Sequence, residues 1–323
     1  MIGTHWGPIG LATGVWLDHR FGDPQRGHPV AGFGRIAEEL ERRWYADDEL
    51  AGILYVLVLI GGATAATRVL ERALPGPGRF VFGSLVTATA LGGSGLGRAA
   101  TRMEALLRAG DLEVARTQLG WLCGRDATAL DADGLARATI ESVAENTSDA
   151  VVGTLVWGAV FGSSGMVLHR AVNTLDAMVG YRTSRYRRFG WAAARSDDAM
   201  NLVPARLTAL LTAACAPIVG GRPRDAWRAW QRDAAGHPSP NAGPVEAAAA
   251  GALGVTLGGD VNRYADHHDV RPTLGEGPAP SIADIGRAVR LSAAVELASL
   301  VLSAAIASLC GHVLSSRRRG GRA

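Results

Sequence analysis

LAGILYVLVLIGGATAAT, residues 50–67, is an eighteen-residue run without a charge, bounded by Glu49 and Arg68. As an α-helix it is roughly 27 Å long, close to the thickness of a bilayer's hydrocarbon core. A second uncharged run of the same length covers residues 80–97, and PGPG at residues 75–78 turns between them. Matched lengths and a short link read as a helical hairpin. Further apolar blocks follow at residues 150–168, 207–221 and 297–316. Between them, residues 98–149 alternate charges with apolar residues at helical spacing, as two or three amphipathic helices outside the bilayer would. The fold expected is all-α: a polytopic, multi-pass helical protein of the cell membrane, with amphipathic helices and motif-bearing loops on one face.

No Pro/Gly/Ser-rich linker divides the chain, so residues 1–323 read as a single membrane-embedded domain. Residues 2–17 are apolar and glycine-rich but lack the basic start and cleavage pattern of a secretory signal, and are expected to be retained. Gly158, Gly162 and Gly165 in the third block predict close helix packing or a break. Arg317, Arg318 and Arg319 favour a cytoplasmic C-terminus. Residues 98–149 and 169–201 carry six arginines each, so charge does not assign their sides. If both segments serve one site, one apolar block must be re-entrant or interfacial, with 150–168 and 207–221 the candidates.

The net charge is +3 and aromatic residues make up 6%, with no basic run interleaved with aromatics; nucleic acid is not an expected partner. All 33 basic residues are arginine, since the sequence has no lysine. A lysine-bearing phosphate loop and a lysine Schiff base are thereby excluded, and phosphate recognition falls to arginine, backbone amides or metal. Cys123, Cys215 and Cys310 are far apart, without zinc spacing, and read as buried apolar residues.

Chemistry gathers in four stretches. ATIESVAENTSD, residues 138–149, sets Glu141, Glu145 and Asp149 at i, i+4 and i+8 of a helix, a row that needs magnesium or a protein arginine to stay ionised. The competing reading is a solvated face with Asn146, Thr147 or Asp149 capping the next helix. In residues 171–209, Asn173 with Asp176 and Asp197 with Asn201 fall at i, i+3 and i, i+4, and either pair suits a metal. Tyr181, Arg182, Arg185, Tyr186, Arg187 and Arg188 lie between, suited to a multiply charged anion, or for Arg187 and Arg188 to lipid headgroups. Arg206 follows Pro204 inside an apolar stretch, which makes it a functional candidate. GHPSPNAGPVEAAAAGALGV, residues 236–255, presents His237, Ser239 and Asn241 on a proline-stiffened loop ahead of a helix with Glu246 in its first turn. Glu246 there is a ligand or base, or simply complements the helix dipole. GDPQRGHPV, residues 22–30, is a rigid turn bringing Asp23 and His28 together.

Taken together, GDPQRGHPV, ESVAENTSDAVV, AVNTLDAMVGYR, RFGWAAARSDDAMNLVPARLTA and HPSPNAGPVEAAAAGALGV resemble, in order and over nearly the whole chain, the adenosylcobinamide-phosphate synthases of cobalamin biosynthesis. One departure is the N-terminal segment, short and interrupted by His5, Trp6 and Pro8. The resemblance implies an integral membrane enzyme joining adenosylcobyric acid to aminopropanol or its phosphate through an amide bond, with ATP as co-substrate and Mg2+. It implies metal or base roles for Glu141, Glu145, Asp149, Asp176, Asp197 and Asp198, with Glu145, Asp149 and Asp197 on the metal. Arg185, Arg195 and Arg206 would hold phosphates. Asn146, Asn173, Asn201, His237, Ser239 and Asn241 would orient substrate, joined by Asp23, His28, Tyr181 and Glu246. The lipid bilayer is the surrounding partner, and a homo-oligomer or association with later cobalamin enzymes is compatible with this. Two other classes compete: an intramembrane prenyltransferase, which DDAMN at Asp197 superficially fits, and a non-enzymatic membrane sensor or transporter subunit.

Overall fold

The computed structural model describes residues 7–22, 27–259, 262–264, 267–269 and 271–320, and they are almost entirely helical. In order come α1 (Gly7–Phe21), α2 (Pro29–Trp44), α3 (Glu49–Ala73), α4 (Gly76–Ala90), α5 (Gly93–Ala109), α6 (Leu112–Leu119) and α7 (Ala132–Asn146). A π-helical stretch, Thr147–Val152, leads to α8 (Gly153–Phe161), α9 (Ser163–Val179), α10 (Trp191–Cys215), α11 (Pro223–Asp233), α12 (Ala242–Leu253) and α13 (Ile282–Gly320). Short strands β1 (Leu257–Gly258), β2 (Asn262–Tyr264), β3 (His267–Asp269) and β4 (Thr273–Leu274) pair antiparallel, β1 with β4 and β2 with β3.

Among the described residues, four helical stretches are long and apolar enough to cross a membrane: Glu49–Ala73, Gly76–Ala109, Trp191–Val219 and Ile282–Cys310. On α3 the side chains of Leu54, Leu57, Val58, Val69 and Leu70 are exposed, as a lipid-facing surface requires. The protein is a multi-pass helical membrane protein. Two apolar blocks differ in detail from simple crossings. Residues 80–97 straddle the break at Leu91 and Gly92 between α4 and α5. Residues 150–168 are broken at Gly162, whose φ of 67° is left-handed and separates α8 from α9. A Cβ on Gly165 would lie 2.3 Å from the Trp157 carbonyl oxygen, so glycine there lets the two helices fold back in contact.

The chain divides into two compact units. The first comprises Met1–Gly92, Gly153–Met200 and Ser299–Ala323. Asp48 starts α3 by accepting the Ala51 amide at 3.1 Å, and Arg79 closes its far end by donating to the Glu71 and Leu74 carbonyls. Tyr55 is fully buried in its core, with its hydroxyl donating to the Ala37 carbonyl and its ring 5.0 Å from that of Phe189.

The second unit comprises Gly93–Val152 and Asn201–Ala298. Leu119, Leu135, Ile140, Leu257 and Leu274 are fully buried in its core, each worth about 1.5–3 kcal/mol on burial. Alanines make α12 thin: Ala247, Ala248, Ala249 and Ala250 are all buried, and α11 packs directly along it. This close packing encloses Glu246, which has no exposed surface.

Candidate active site

In the second unit α7 begins at Asp131, whose carboxylate accepts the Gly134 amide at 2.8 Å, and runs far enough to set Glu141 and Glu145 one turn apart. Glu141 is 1% exposed and held from two directions. Arg125 donates to its Oε2 at 2.7 Å, and the Gly258 amide to its Oε1 at 2.8 Å. Arg137 stands 3.9 Å away. The positive charge that the carboxylate row requires at this position is a protein arginine, and the pair ties α7 to β1 and to the segment before it.

One turn on, Glu145 meets Glu246 of α12. Arg271 bridges them, 2.9 Å from Glu246 Oε1 and 3.6 Å from Glu145 Oε1. His237 Nε2 lies 3.8 Å from the same Glu246 oxygen. His237 Nδ1 lies against the Ser239 backbone, 3.1 Å from its amide and 3.2 Å from its carbonyl, which holds the ring with Nε2 on the Glu246 side. Burial pushes the Glu246 carboxyl well above the ordinary carboxylate range, and the charges of Glu145 and Glu141 push it further. Burial acts the same way on Glu145, but its hydrogen bond with Glu246, together with Arg271, His237 and Arg125, outweighs it and lowers its pKa. Glu246 therefore keeps the shared proton and Glu145 carries the charge. Glu145 is also the accessible member, with its side chain 29% exposed.

The loop before α12 completes this cluster. Ser239 Oγ accepts the amides of Asn241 and Ala242, and Asn241 Oδ1 accepts Arg206 Nη1 at 2.9 Å. Arg206 also donates to the Leu202 carbonyl, so both of these acceptors are neutral oxygens. Asn146 donates to the Ser142 carbonyl, and Asn201 is buried in α10. Asp149 lies in the π-helical stretch, where the wider turn takes it out of the i+8 position expected from an uninterrupted α-helix.

A second carboxylate cluster belongs to the first unit. Asn173 donates to Asp197 at 3.4 Å, and Arg195 stands 3.6 Å from Asp198. Burial, then the charges of Asp197 and Asp198, raise Asp176 to about 7. Burial and Asp176 likewise raise Tyr181. Asn173, Asp176, Asp197 and Asp198 all offer oxygen, the donor type a hard divalent cation takes, and Arg195 and Arg182 offset part of the Asp198 charge. Arg185 lies elsewhere in this unit's contacts: it donates to Glu41 at 3.0 Å, stacks over the Tyr45 ring at 4.1 Å, and shares Glu41 with the Tyr186 hydroxyl. His28 caps α2 by accepting the Val30 amide, and Asp23 lies outside the described residues.

A family model described as CobD/Cbib protein matches residues 11–292. The chain belongs to the CobD/CbiB family. The cobalamin biosynthesis protein CobD of Mycobacterium tuberculosis (strain ATCC 25618 / H37Rv) is 52% identical over 297 residues, covering 91% of this chain and 94% of the relative. The protein of the same name from Chromobacterium violaceum is 45% identical over 312 residues, covering 92% and 97%. That of Geobacter metallireducens is 41% identical over 308 residues, covering 93% and 96%. No solved structure matches. Within this CobD/CbiB chain, sequence reasoning missed Arg125, Arg271 and Glu41. Each pairs with a carboxylate or cation at least 16 residues away. No periodicity marks such partners; Arg125 and Arg271 were visible as charged residues in loops, and Glu41 as a carboxylate within α2.

Proposed function

We propose that the chain works in cobalamin biosynthesis as an ATP-dependent carbon–nitrogen ligase, joining adenosylcobyric acid to aminopropanol or its O-phosphate. The observation that carries the reading is the Glu145 and Glu246 pair bridged by Arg271, one carboxyl fully enclosed with its pKa raised, the other partly exposed with its pKa lowered. An amine reaches the site as an ammonium and has no nucleophilic lone pair until it loses a proton. The Glu145 carboxylate attracts that ammonium and accepts the proton, while Glu246, already protonated, donates a hydrogen bond that steadies the Glu145 charge beforehand. Arg271 fixes both carboxyl groups and His237 Nε2 stands 3.8 Å from Glu246, so the pair is held in place before substrate arrives. Arg206, whose side chain is anchored by Asn241, supplies a guanidinium for a phosphate oxygen.

The acid partner needs activation, because a carboxylate is a poor electrophile. ATP would phosphorylate it to an acyl phosphate; the amine nitrogen then forms the C–N bond as the C–O bond to phosphate breaks. Asp176, Asp197 and Asp198, with Asn173, are the residues whose donor chemistry fits Mg2+, which when bound would screen phosphate charge. The test is direct. Membranes containing the protein receive adenosylcobyric acid, ATP, Mg2+ and either amine, and products are read by mass spectrometry. An amide product dependent on ATP is expected; no product with either amine would refute the reading.

A further inference from the structure

The first unit contains a cavity of about 350 Å³ between α2, α3, α4 and α9. Phe33, Leu70, Phe82, Val86 and Val167 stand on its wall. Three threonines line it too, yet the hydroxyls of Thr67, Thr89 and Thr174 donate to the carbonyls of Ala63, Leu85 and Arg170, one turn back in their own helices. The wall is therefore apolar in effect. Among the described residues Arg170 is its one charged member, with Nη1 3.4 Å from Asn173 Oδ1.

Size and surroundings narrow the occupant. An apolar cavity of about 150 Å³ already takes up benzene, so this one accommodates a much longer hydrocarbon. Its lining on α3 runs from Leu70 back to Ala63, and on α4 from Phe82 on to Ala90. Both helices lie in stretches long and apolar enough to cross a membrane. The space therefore extends inward from the α3–α4 turn for roughly 10 Å, along the direction of lipid tails. The start of α9 lies beside the last turns of α3, with Ser163 at Glu71 and Ser164 at Arg68, so Arg170 stands at the end of the space away from the α3–α4 turn; a guanidinium there favours an anionic headgroup, with its tail lying back toward the turn.

We propose that this cavity is a lipid site, occupied by one acyl chain of an anionic phospholipid whose phosphate is met by Arg170. The test uses the full-length protein in vesicles carrying spin-labelled phosphatidylglycerol or phosphatidylcholine. Wild type should immobilise about one labelled lipid per chain, with phosphatidylglycerol preferred about fivefold, the worth of one arginine near an anionic lipid. Ala171→Phe, which fills the cavity, should abolish the immobilised component. Val86→Phe fills it from another helix, so a folding failure in one variant leaves the other decisive; gel filtration checks both. Arg170→Gln should keep the immobilised chain and lose the headgroup preference. Absence of an immobilised lipid in wild type, equal retention of both lipids, or retention by both folded filler variants would overturn the proposal. Stoichiometric displacement of the lipid by adenosylcobyric acid would also overturn it, assigning the cavity to substrate.

Discussion

Replacing Glu145 and Glu246 one at a time by glutamine separates their roles, because the two substitutions leave different charges beside Arg271. In Glu145→Gln the carboxylate that carries the charge is gone, but Glu246, 2.9 Å from Arg271, can release its proton and take over the ion pair. The fold should therefore lose only about 1–2 kcal/mol, less than the 3–5 kcal/mol of a broken buried pair. Activity has no such substitute, since Glu246 has no exposed surface from which to reach an ammonium. A loss of about 10²- to 10⁴-fold in kcat is expected for a missing proton acceptor. Glu246→Gln replaces a neutral acid by a neutral amide that still donates to Glu145, so its rate should stay within about tenfold of wild type. Only the double variant leaves Arg271 without an anion of this pair, and it should cost about 3–5 kcal/mol. Initial rates of ATP-dependent amide formation, with thermal unfolding of the same detergent-solubilised samples, measure both quantities. Near-normal turnover by Glu145→Gln would refute the reasoning, as would equal losses in the two single variants.

Stability against pH offers an independent check. The folded-state pKa of Glu246 is raised, so its contribution is favourable at low pH and is lost as pH rises, when the unfolded chain releases a proton that the native state retains. As pH rises above the ordinary carboxylate range, wild type should lose stability relative to Glu246→Gln, and a pH-independent difference in unfolding free energy would contradict the shared proton. Magnesium entering the Asp176, Asp197 and Asp198 cluster must displace the proton held by Asp176 at about 7. Its calorimetric affinity should therefore fall about tenfold per pH unit below that value, a dependence that Asp176→Asn removes. Arg206→Lys exchanges a planar fork for a point charge and should lower catalytic efficiency about 10- to 100-fold, or 1.5–3 kcal/mol, with the phosphate-bearing amine. A lowered melting temperature with unchanged kinetics would instead make Arg206 a structural tie.

The helical membrane class was legible because hydropathy is a local property: α3 is recognisable from residues 50–67 alone, and the three polar helices α5, α6 and α7 from their apolar spacing. The glycines at 158, 162 and 165 also announced the α8–α9 break. Register was harder. The row Glu141, Glu145, Asp149 assumes a constant 3.6 residues per turn, and no residue type announces the π-helical stretch at Thr147–Val152. Arg185 illustrates a different limit. Its tyrosine-rich surroundings suit an anion, and the anion it meets is Glu41, 144 residues away. Composition identifies a cation and a plausible ligand class; tertiary contact decides which anion arrives.

The absence of lysine acquires a structural meaning at the carboxylate pair. A buried lysine can shed its proton, so a lysine beside Glu246 would allow the site to become neutral by losing the cation. Arginine does not deprotonate under these conditions, and its charge is a fixed constraint on its neighbours. Arg125 is bound to Glu141, with Arg137 further out, which leaves Arg271 as one guanidinium facing two carboxyl groups, Glu145 and Glu246. One positive charge balances one negative charge. Desolvation sets the proton on the fully enclosed Glu246, whose pKa it raises, while the hydrogen bond with Glu246 and the charges of Arg271 and His237 lower that of the partly exposed Glu145. Charge balance and the thin, alanine-rich helix that encloses Glu246 thus produce together the asymmetry that the proposed proton transfer requires.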